Sequence, residues 1–433
     1  VYPNFRELFY YTIGVDIPAL AVVNTFGFFV AISFLVAAWL LTKELKRKEA
    51  EGLVHVTKQK IMVGKPASAF DLATSGILGF LIGFKVLGMM FNMDWDTQSP
   101  QEFLISKQGS LIGGLAFGGI FAYLTYRDKE KTKLAQPKEE TIAVHPYQLV
   151  GNITVIAAVS GILGAKIFHH LENWDDFVKD PAGQLSDFFG GLTFYGGLIC
   201  ATICVLWYIR KNGIKPVHMF DSAGPVLIVA YGVGRIGCMV SGDGDWGVVN
   251  SAYRVDADRH FTEVAANDTI VENDIATFYR YYEANSPAEV PSIYFKKPDA
   301  LSFLPDQFFA YDFPHNVLER GTPLNNCNRA KFCTHLPMPV FPTAFYEVLM
   351  ALSIFGILWG IRKRIKIPGM LFAIYLIFNG AERFLIESIR VNTKMHFLGM
   401  VVTQAQLISS ILFLVGLITA TFLYFNNKRK VKA

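Results

Sequence analysis

Nine runs of mostly apolar residues, most close to the twenty or so that a membrane-spanning helix needs, constrain this chain more than any other feature. They cover about 21–42, 71–92, 109–126, 148–169, 190–209, 219–240, 343–361, 368–388 and 403–425. Inside a bilayer the backbone must satisfy its own hydrogen bonds, so a single run that enters lipid must be helical. The pattern predicts an all-α polytopic membrane protein with nine transmembrane helices. Composition agrees: 18% of residues are charged, against about 25% in soluble domains. The net charge is only +4, and the basic residues sit in short runs beside apolar segments. That arrangement reports topology and argues against a nucleic-acid partner. The first run is long enough to stay in the membrane, so it is not read as a cleavable signal peptide.

The charges between the runs sort by side. Basic clusters at 43–48, 127–133, 210–215, 362–366 and 428–432 fall on one face, and Asp94, Asp96, Glu172, Asp175, Asp176, Asp180 and Asp187 on the other. The positive-inside rule makes the basic face cytoplasmic, with the N-terminus outside and the C-terminus inside. Residues 248–342, between the sixth and seventh runs, are polar with aromatic patches and prolines. A connection that long has structure of its own, so a small extracytoplasmic α+β domain is expected there. Three blocks follow: membrane domain 1–247, insert 248–342 and membrane domain 343–433.

An internal repeat is visible within 71–126 and 148–209. SGILG occurs at 75–79 and 160–164, each followed by a lysine (Lys85, Lys166) and then a tryptophan among aspartates (Trp95, Trp174). GGLAFGG at 113–119 then matches GGLTFYGG at 190–197, with Tyr195 inserted before the last two glycines. Such repeats are common in membrane folds, and small residues spaced by four also suit close helix packing on their own account.

Polar residues gather at one depth. Asn24, Lys166, Tyr195, Arg235, Glu347, Glu382, Arg383, Glu387 and Gln406 come from seven runs, and the topology puts all of them in the outer half of the membrane. Intramembrane charge is costly and lines cavities or marks function; near a span end it can instead snorkel. Arg235, with four apolar or glycine residues on each side, fits the first reading. Arg383, Glu387 and Arg390 are spaced i, i+4, i+7 and share one helix face. Arg383 and Glu387 either form a neutral pair or present a guanidinium to a phosphate, which its planar fork suits.

Other signals carry less. Gly232, Gly234 and Gly237 spell GxGxxG but lack the strand–turn–helix context of a dinucleotide site. Asp243-Gly244-Asp245 lacks the later ligands of a calcium loop and reads as a solvated turn. Cys238 beside Arg235 reads as a packing residue, with a nucleophile as the other possibility. Cys327 and Cys333 lie on the oxidising side, where a disulfide is expected; zinc would need two further ligands, and only His335 is near. No metal or cofactor is expected.

Taken together, the motifs resemble the bacterial prolipoprotein diacylglyceryl transferases. Gly234-Arg235-Ile236-Gly237, followed by Gly242 and Trp246-Gly247, is similar to that family's GRxGNFxNGExxG signature. Thr193-Phe194-Tyr195-Gly196-Gly197-Leu198 is similar to its SFHGGL, Tyr346-Glu347 to its LYE, and Arg383-Phe384-Leu385-Ile386-Glu387 with Arg390 to its RFLxExxR; Gln406 matches a glutamine in its last span. The chain departs from the pattern where Tyr195 replaces a histidine, Cys238 an asparagine and Asp243 a glutamate, and in its extra second and third spans.

The resemblance implies a multi-pass enzyme of the bacterial inner membrane that moves the diacylglyceryl group of phosphatidylglycerol onto the lipobox cysteine of prolipoproteins. On that basis Arg235, Arg383 and Tyr195 are the expected catalytic residues, with Tyr195 as base or hydrogen-bond donor. Glu387, Asp243, Glu347, Gln406, Gly196, Gly197 and Gly237 are expected to bind substrate. Two other classes stay open. A secondary transporter of an anionic solute would also carry repeats and membrane arginines, but its polar groups would reach the midplane. A non-catalytic lipid-binding protein would use the insert for docking.

Overall fold

Helices follow the apolar runs. The computed structural model describes residues 1–92, 103, 106–186, 191, 193–265, 290–325, 327–392, 394–397 and 399–432. Asp94, Trp95, Asp96, Asp187, Gly190 and the stretch 266–289 of the insert lie outside the described residues. Among the described residues, a short helix α1 (Phe5–Ile13) precedes nine of eighteen residues or more: α2 (Thr25–Ala50), α3 (Ala69–Asn92), α4 (Leu111–Thr132), α5 (Val150–Glu172), α6 (Phe194–Lys211), α7 (Pro216–Ser241), α8 (Thr343–Ile361), α9 (Met370–Glu387) and α10 (Gln404–Lys432). Each coincides with one expected run. Six of them, α2, α3, α5, α7, α8 and α10, are long and apolar enough to cross a membrane. Of the other three, α9 carries Glu382, Arg383 and Glu387, and α4 and α6 end in basic residues.

Lipid tails are as apolar as leucine, so burying one helix against another in a bilayer gains little from hydrophobicity. Close packing must hold the bundle instead, at about 0.1–0.2 kcal/mol per atom pair. At the centre, α7 packs on α2, α8 and α9, and α9 packs on α10. Ile228, Ala351, Ile354, Leu358 and Leu371 join α7, α8 and α9. Leu40, Leu41, Leu45, Ile209, Met219 and Val226 join α2, α6 and α7. The helix ends are pinned by polar contacts. Lys48 Nζ donates to the His218 carbonyl at 2.8 Å, Arg362 Nε meets Glu44 at 3.2 Å, and Asp221 accepts from the Gly369 and Phe372 amides at 2.7 and 3.0 Å. These contacts gather the C-terminal ends of α2 and α8 with the N-terminal ends of α7 and α9. The four helices are therefore antiparallel in turn, and the polar residues read from sequence collect at their other end.

The repeat is real in space, with a corrected register. In the α3–α4 hairpin a Cβ at Gly76 would meet the Gly118 carbonyl and Ala122; in the α5–α6 hairpin a Cβ at Gly161 would meet the Gly197 carbonyl and Ala201. Gly118 therefore corresponds to Gly197 and Ala116 to Tyr195, so Tyr195 is a substitution within the register and not an insertion. By the same register Lys85 corresponds to His170, and not to Lys166. Lys85 Nζ donates to the carbonyls of Phe103 and Gln108 at 3.0 and 2.9 Å. An antiparallel ribbon, β1 (Thr57–Val63) with β2 (Lys138–Val144), paired Thr57↔Val144, leads into and out of the α3–α4 hairpin. Sequence reading left both strands as connections, because neither buries a face that would impose a clear alternation. A second ribbon, β3 (Lys394–Phe397) with β4 (Met400–Thr403), joins α9 to α10.

The described parts of the insert contain short strand pairs and single turns of helix. Cys327 and Cys333 form the disulfide, with Cα atoms 5.6 Å apart. Between them Arg329 reaches back to the N-terminal segment, contacting Glu7 at 2.7 Å and Asp16 at 2.8 Å, while Arg6 also meets Asp16 at 2.6 Å. The two guanidiniums hold the Asp16 carboxyl well below the usual carboxylate range. Within the insert, burial would raise the Asp312 carboxyl, but His335 and Arg259 outweigh it and hold it low. A carboxylate with a depressed folded value stabilises fully above its unfolded value, about 3.9 for Asp. That contribution is lost as the pH falls through the folded value. The hold of the insert on the N-terminal segment is therefore expected to weaken as the pH falls below about 4, and to be lost fully only below the depressed Asp16 value. Limited proteolysis in detergent at neutral and acid pH, with cleavage mapped between residues 1 and 24, checks it.

Candidate functional site

The site is built where α7, α8 and α9 meet at their outer ends. Glycine in the left-handed region at Gly242 (φ 65°) closes α7, and Gly244 (φ 95°) turns the chain again. Those two turns fold Asp245 back over the helix it has just left. Asp245 then ion-pairs with Arg235 from α7 and with Arg390 just beyond α9. On the other side of Arg235, its Nε meets Glu347 Oε2 at 2.8 Å, and Arg383 Nη1 meets Glu347 Oε1 at 3.1 Å. Tyr231, one turn before Arg235, donates its hydroxyl to Glu347 Oε1 at 2.7 Å. Arg390 Nη1 lies 3.6 Å from the same oxygen. Glu347 is fully buried, so one carboxylate holds two guanidiniums side by side and a third close by.

Arg383 is oriented from below as well. Its Nη2 meets Glu387 at 3.1 Å, one turn on. Glu387 is in turn fixed by Thr403 Oγ1 at 2.7 Å and Asn392 Nδ2 at 2.6 Å. A guanidinium carries five N–H donors, and these contacts use only some of those on Arg235 and Arg383. The remaining donors of two rigidly spaced guanidiniums suit an anion with several oxygens, above all a phosphate.

The other expected site residues are arranged as follows. Tyr195, at the start of α6, lies within electrostatic reach of Arg383 and Glu387. Asp243 stands beside Cys238 and Asp245, and burial together with the Asp245 charge raises its carboxyl above the usual range. Asp245 is pushed up by burial, but Arg235 and Arg390 hold it low. The expected solvated turn at 243–245 is thus a half-buried, charged one. Gln406 is one step removed: its Oε1 accepts from the Thr403 amide at 3.1 Å and caps α10, behind the Thr403 that binds Glu387. Gly196 and Gly197 are spent on helix packing, each within a Cβ's reach of an α5 carbonyl, those of Gly164 and Gly161. Gly237 packs similarly on Phe26 and Phe29 of α2. Cys238, Asp243 and Asp245 bring a thiol and two carboxylates within 4.8 Å of one another. Asp245 is already committed to two arginines, and a cation there would face Arg235.

Sequence reasoning missed Asp245 and the bridging role of Arg390. The i+7 spacing had put Arg390 on the right helix face, but nothing in the spacing of 243 and 245 says which aspartate the double turn presents to Arg235.

A family model for the prolipoprotein diacylglyceryl transferases matches residues 131–422. The chain belongs to that family. The matched stretch contains every residue of the arginine–carboxylate cluster, and nearly all of the α3–α4 hairpin lies before it. Among curated members, phosphatidylglycerol–prolipoprotein diacylglyceryl transferase 2 of Clostridium perfringens is 34% identical over 91 residues, which is 21% of this chain and 36% of that protein. The phosphatidylglycerol–prolipoprotein diacylglyceryl transferases of Streptococcus pyogenes strains Manfredo and NZ131 are each 25% identical over 266 residues, 61% of this chain and 74% of theirs.

Proposed function

We propose that this protein transfers the diacylglyceryl group of phosphatidylglycerol to the cysteine thiol of a prolipoprotein lipobox, forming a thioether and releasing glycerol phosphate. The observation that carries this reading is the pair Arg235 and Arg383, spaced by Glu347 within the stretch that matches the transferase family. The phosphodiester binds across the two guanidiniums. As the bond from the glyceryl carbon to the phosphate oxygen breaks, negative charge grows on that oxygen, and preorganised donors lower the barrier most at such a point. Glu387 orients Arg383. The thiolate is the attacking form of cysteine.

The membrane arrangement is part of the proposal. All nine long helices cross the bacterial inner membrane, with the N-terminus and the insert 248–342 outside and the basic clusters in the cytoplasm. The cluster then faces the outer leaflet, where both substrates are. The blocks 1–247, 248–342 and 343–433 serve as membrane domain, extracytoplasmic domain and membrane domain. The chemistry proposed requires no metal or cofactor.

The test is purified protein with phosphatidylglycerol vesicles and a lipobox peptide, followed by mass spectrometry. A diacylglyceryl mass shift on the cysteine supports the reading; an unmodified peptide with solute flux into vesicles points to a transporter. Tyr195 is read as a hydrogen-bond donor near Arg383, its phenol being a weak base with an ordinary value near 10. Tyr195→Phe is expected to lower the rate about tenfold, the scale of one hydrogen bond to a charged group, and Tyr195→His to keep much of it. A fully active Phe variant would make Tyr195 structural.

A further inference from the structure

Two residues beside Arg235 have no part in holding the guanidiniums apart. Cys238 lies one turn on in α7, and Arg235 Nη1 donates to its sulfur at 3.5 Å. Asp243 follows the Gly242 turn that closes α7. An oxygen of its carboxylate comes within 4.8 Å of the Cys238 sulfur, and the two interact as S–H donor and carboxylate acceptor. Asp243 Oδ1 also takes the Asp245 amide at a long 3.4 Å. Asp243 forms no ion pair with a basic residue among the described residues. The charged groups that face it are Asp245 and, from the other side of the thiol, Arg235. It is half-buried, where Cys238 is buried, so its lone pairs are open to an arriving group and to water.

In the transfer reaction the carbon under attack is one bond from an oxygen of the clamped phosphate. The incoming thiol must therefore arrive at the edge of the clamp. Cys238 shows what that edge offers: a sulfur beside the Arg235 guanidinium is within reach of the Asp243 carboxylate. We propose that Asp243 is the general base of the transfer and takes the proton of the lipobox thiol as the sulfur attacks. The inference rests on the transfer reading above. The S–H bond breaks with its electron pair left on sulfur, the sulfur–carbon bond forms, and the carbon–oxygen bond to phosphate breaks with its pair on the departing oxygen. The proton rests on Asp243 and then leaves with the glycerol phosphate or to solvent, which restores the carboxylate. The surroundings suit that work. Burial and the Asp245 charge raise the Asp243 carboxyl, and a base is most effective when its value approaches the working pH.

A purely structural Asp243 would only cap its own turn through Oδ1. Asp243→Asn keeps that acceptor and the side-chain volume but cannot take a proton. The experiment uses the full chain with phosphatidylglycerol vesicles and two pre-reduced lipobox peptides, one with cysteine and one with selenocysteine in its place. A selenol is far more acidic than a thiol and is already ionised near neutral pH, so it needs no base. On the cysteine peptide the kcat of the asparagine variant is expected to fall about 100-fold, the lower end of acid–base contributions, with KM for lipid and peptide unchanged. On the selenocysteine peptide most of that loss is expected to disappear. A variant with wild-type kcat overturns the proposal, as does an equal loss on both peptides or a loss confined to KM. Asp243→Ser, which also offers the turn an acceptor oxygen, carries the same expectations and decides the matter if the asparagine variant does not fold. A wild-type protein that modifies neither peptide removes the transfer reading itself, which is a distinct failure.

Discussion

Arg235→Ala is expected to reduce diacylglyceryl transfer by at least two to three orders of magnitude, the loss typical of removing one preorganised donor at a developing oxyanion, while the protein still inserts in the membrane. Arg235 lies between Asp245 and Glu347, so its removal takes away a phosphate contact and one positive charge, and leaves Asp245 to Arg390 alone and Glu347 to Arg383 with Arg390 farther off. The site then repels the anionic lipid it had attracted. Arg235→Lys separates the two effects. A lysine keeps the charge but lacks the planar fork that contacts two carboxylates and a ligand at once. It is expected to recover phosphatidylglycerol binding more than turnover. Peptide mass shift gives the rate, and lipid co-purification gives the binding. Wild-type-like thioether formation by the alanine variant would sink the phosphate-clamp reading.

Much of this site was legible in the sequence because charge inside a membrane helix is costly. Arg235, Glu347, Arg383 and Glu387 stand out for that reason alone, and the i, i+4 spacing of Arg383 and Glu387 already implied their contact at 3.1 Å. Helix positions were legible because an apolar run of twenty residues has few alternatives to a spanning helix. What stayed hidden depends on rotation about helix axes and on turns. Glu347 was read as one pocket-lining residue among several, although it is the hub of the cluster. Its four neighbours come from α7, α9 and the turn just beyond α9, whose orientation relative to α8 no single run encodes. Asp245 depends on two successive glycine turns. Gly196, Gly197 and Gly237 show a related ambiguity: a glycine that admits a ligand and one that admits a neighbouring helix look the same in sequence, and all three lie against a neighbouring helix. The repeat register failed for a related reason. Matching letters aligned GGLAFGG with GGLTFYGG by their final glycines, but the packing pairs Gly118 with Gly76 and Gly197 with Gly161.

Glu347→Gln is expected to be nearly as damaging as Glu347→Ala, although it keeps the volume of the side chain. Glu347 accepts from Tyr231 and contacts Arg235 and Arg383, all at 2.7–3.1 Å, with no exposure to solvent. An amide offers one oxygen where the carboxylate offers two, so its NH2 must face a guanidinium, donor against donor. The two arginines then lose the charge that holds them together and move apart toward Asp245 and Glu387. Breaking a buried ion pair by removing one partner costs about 3–5 kcal/mol. Here each arginine keeps a second carboxylate, so a stability loss near the lower figure is expected, read as a lower melting temperature in detergent. The loss of activity should exceed what that destabilisation explains. Spacing errors of about 1 Å in a positioned group cost on the order of 100-fold in rate, and this carboxylate alone sets the spacing between Arg235 and Arg383. Glu347→Asp tests that point. It keeps the charge and shortens the reach by one methylene, so it is expected to regain most of the stability and little of the turnover. If the aspartate variant were as active as wild type, the arginine spacing would not be what the transfer reaction depends on, and the clamp would have to be assigned to Arg383 with Arg390 instead.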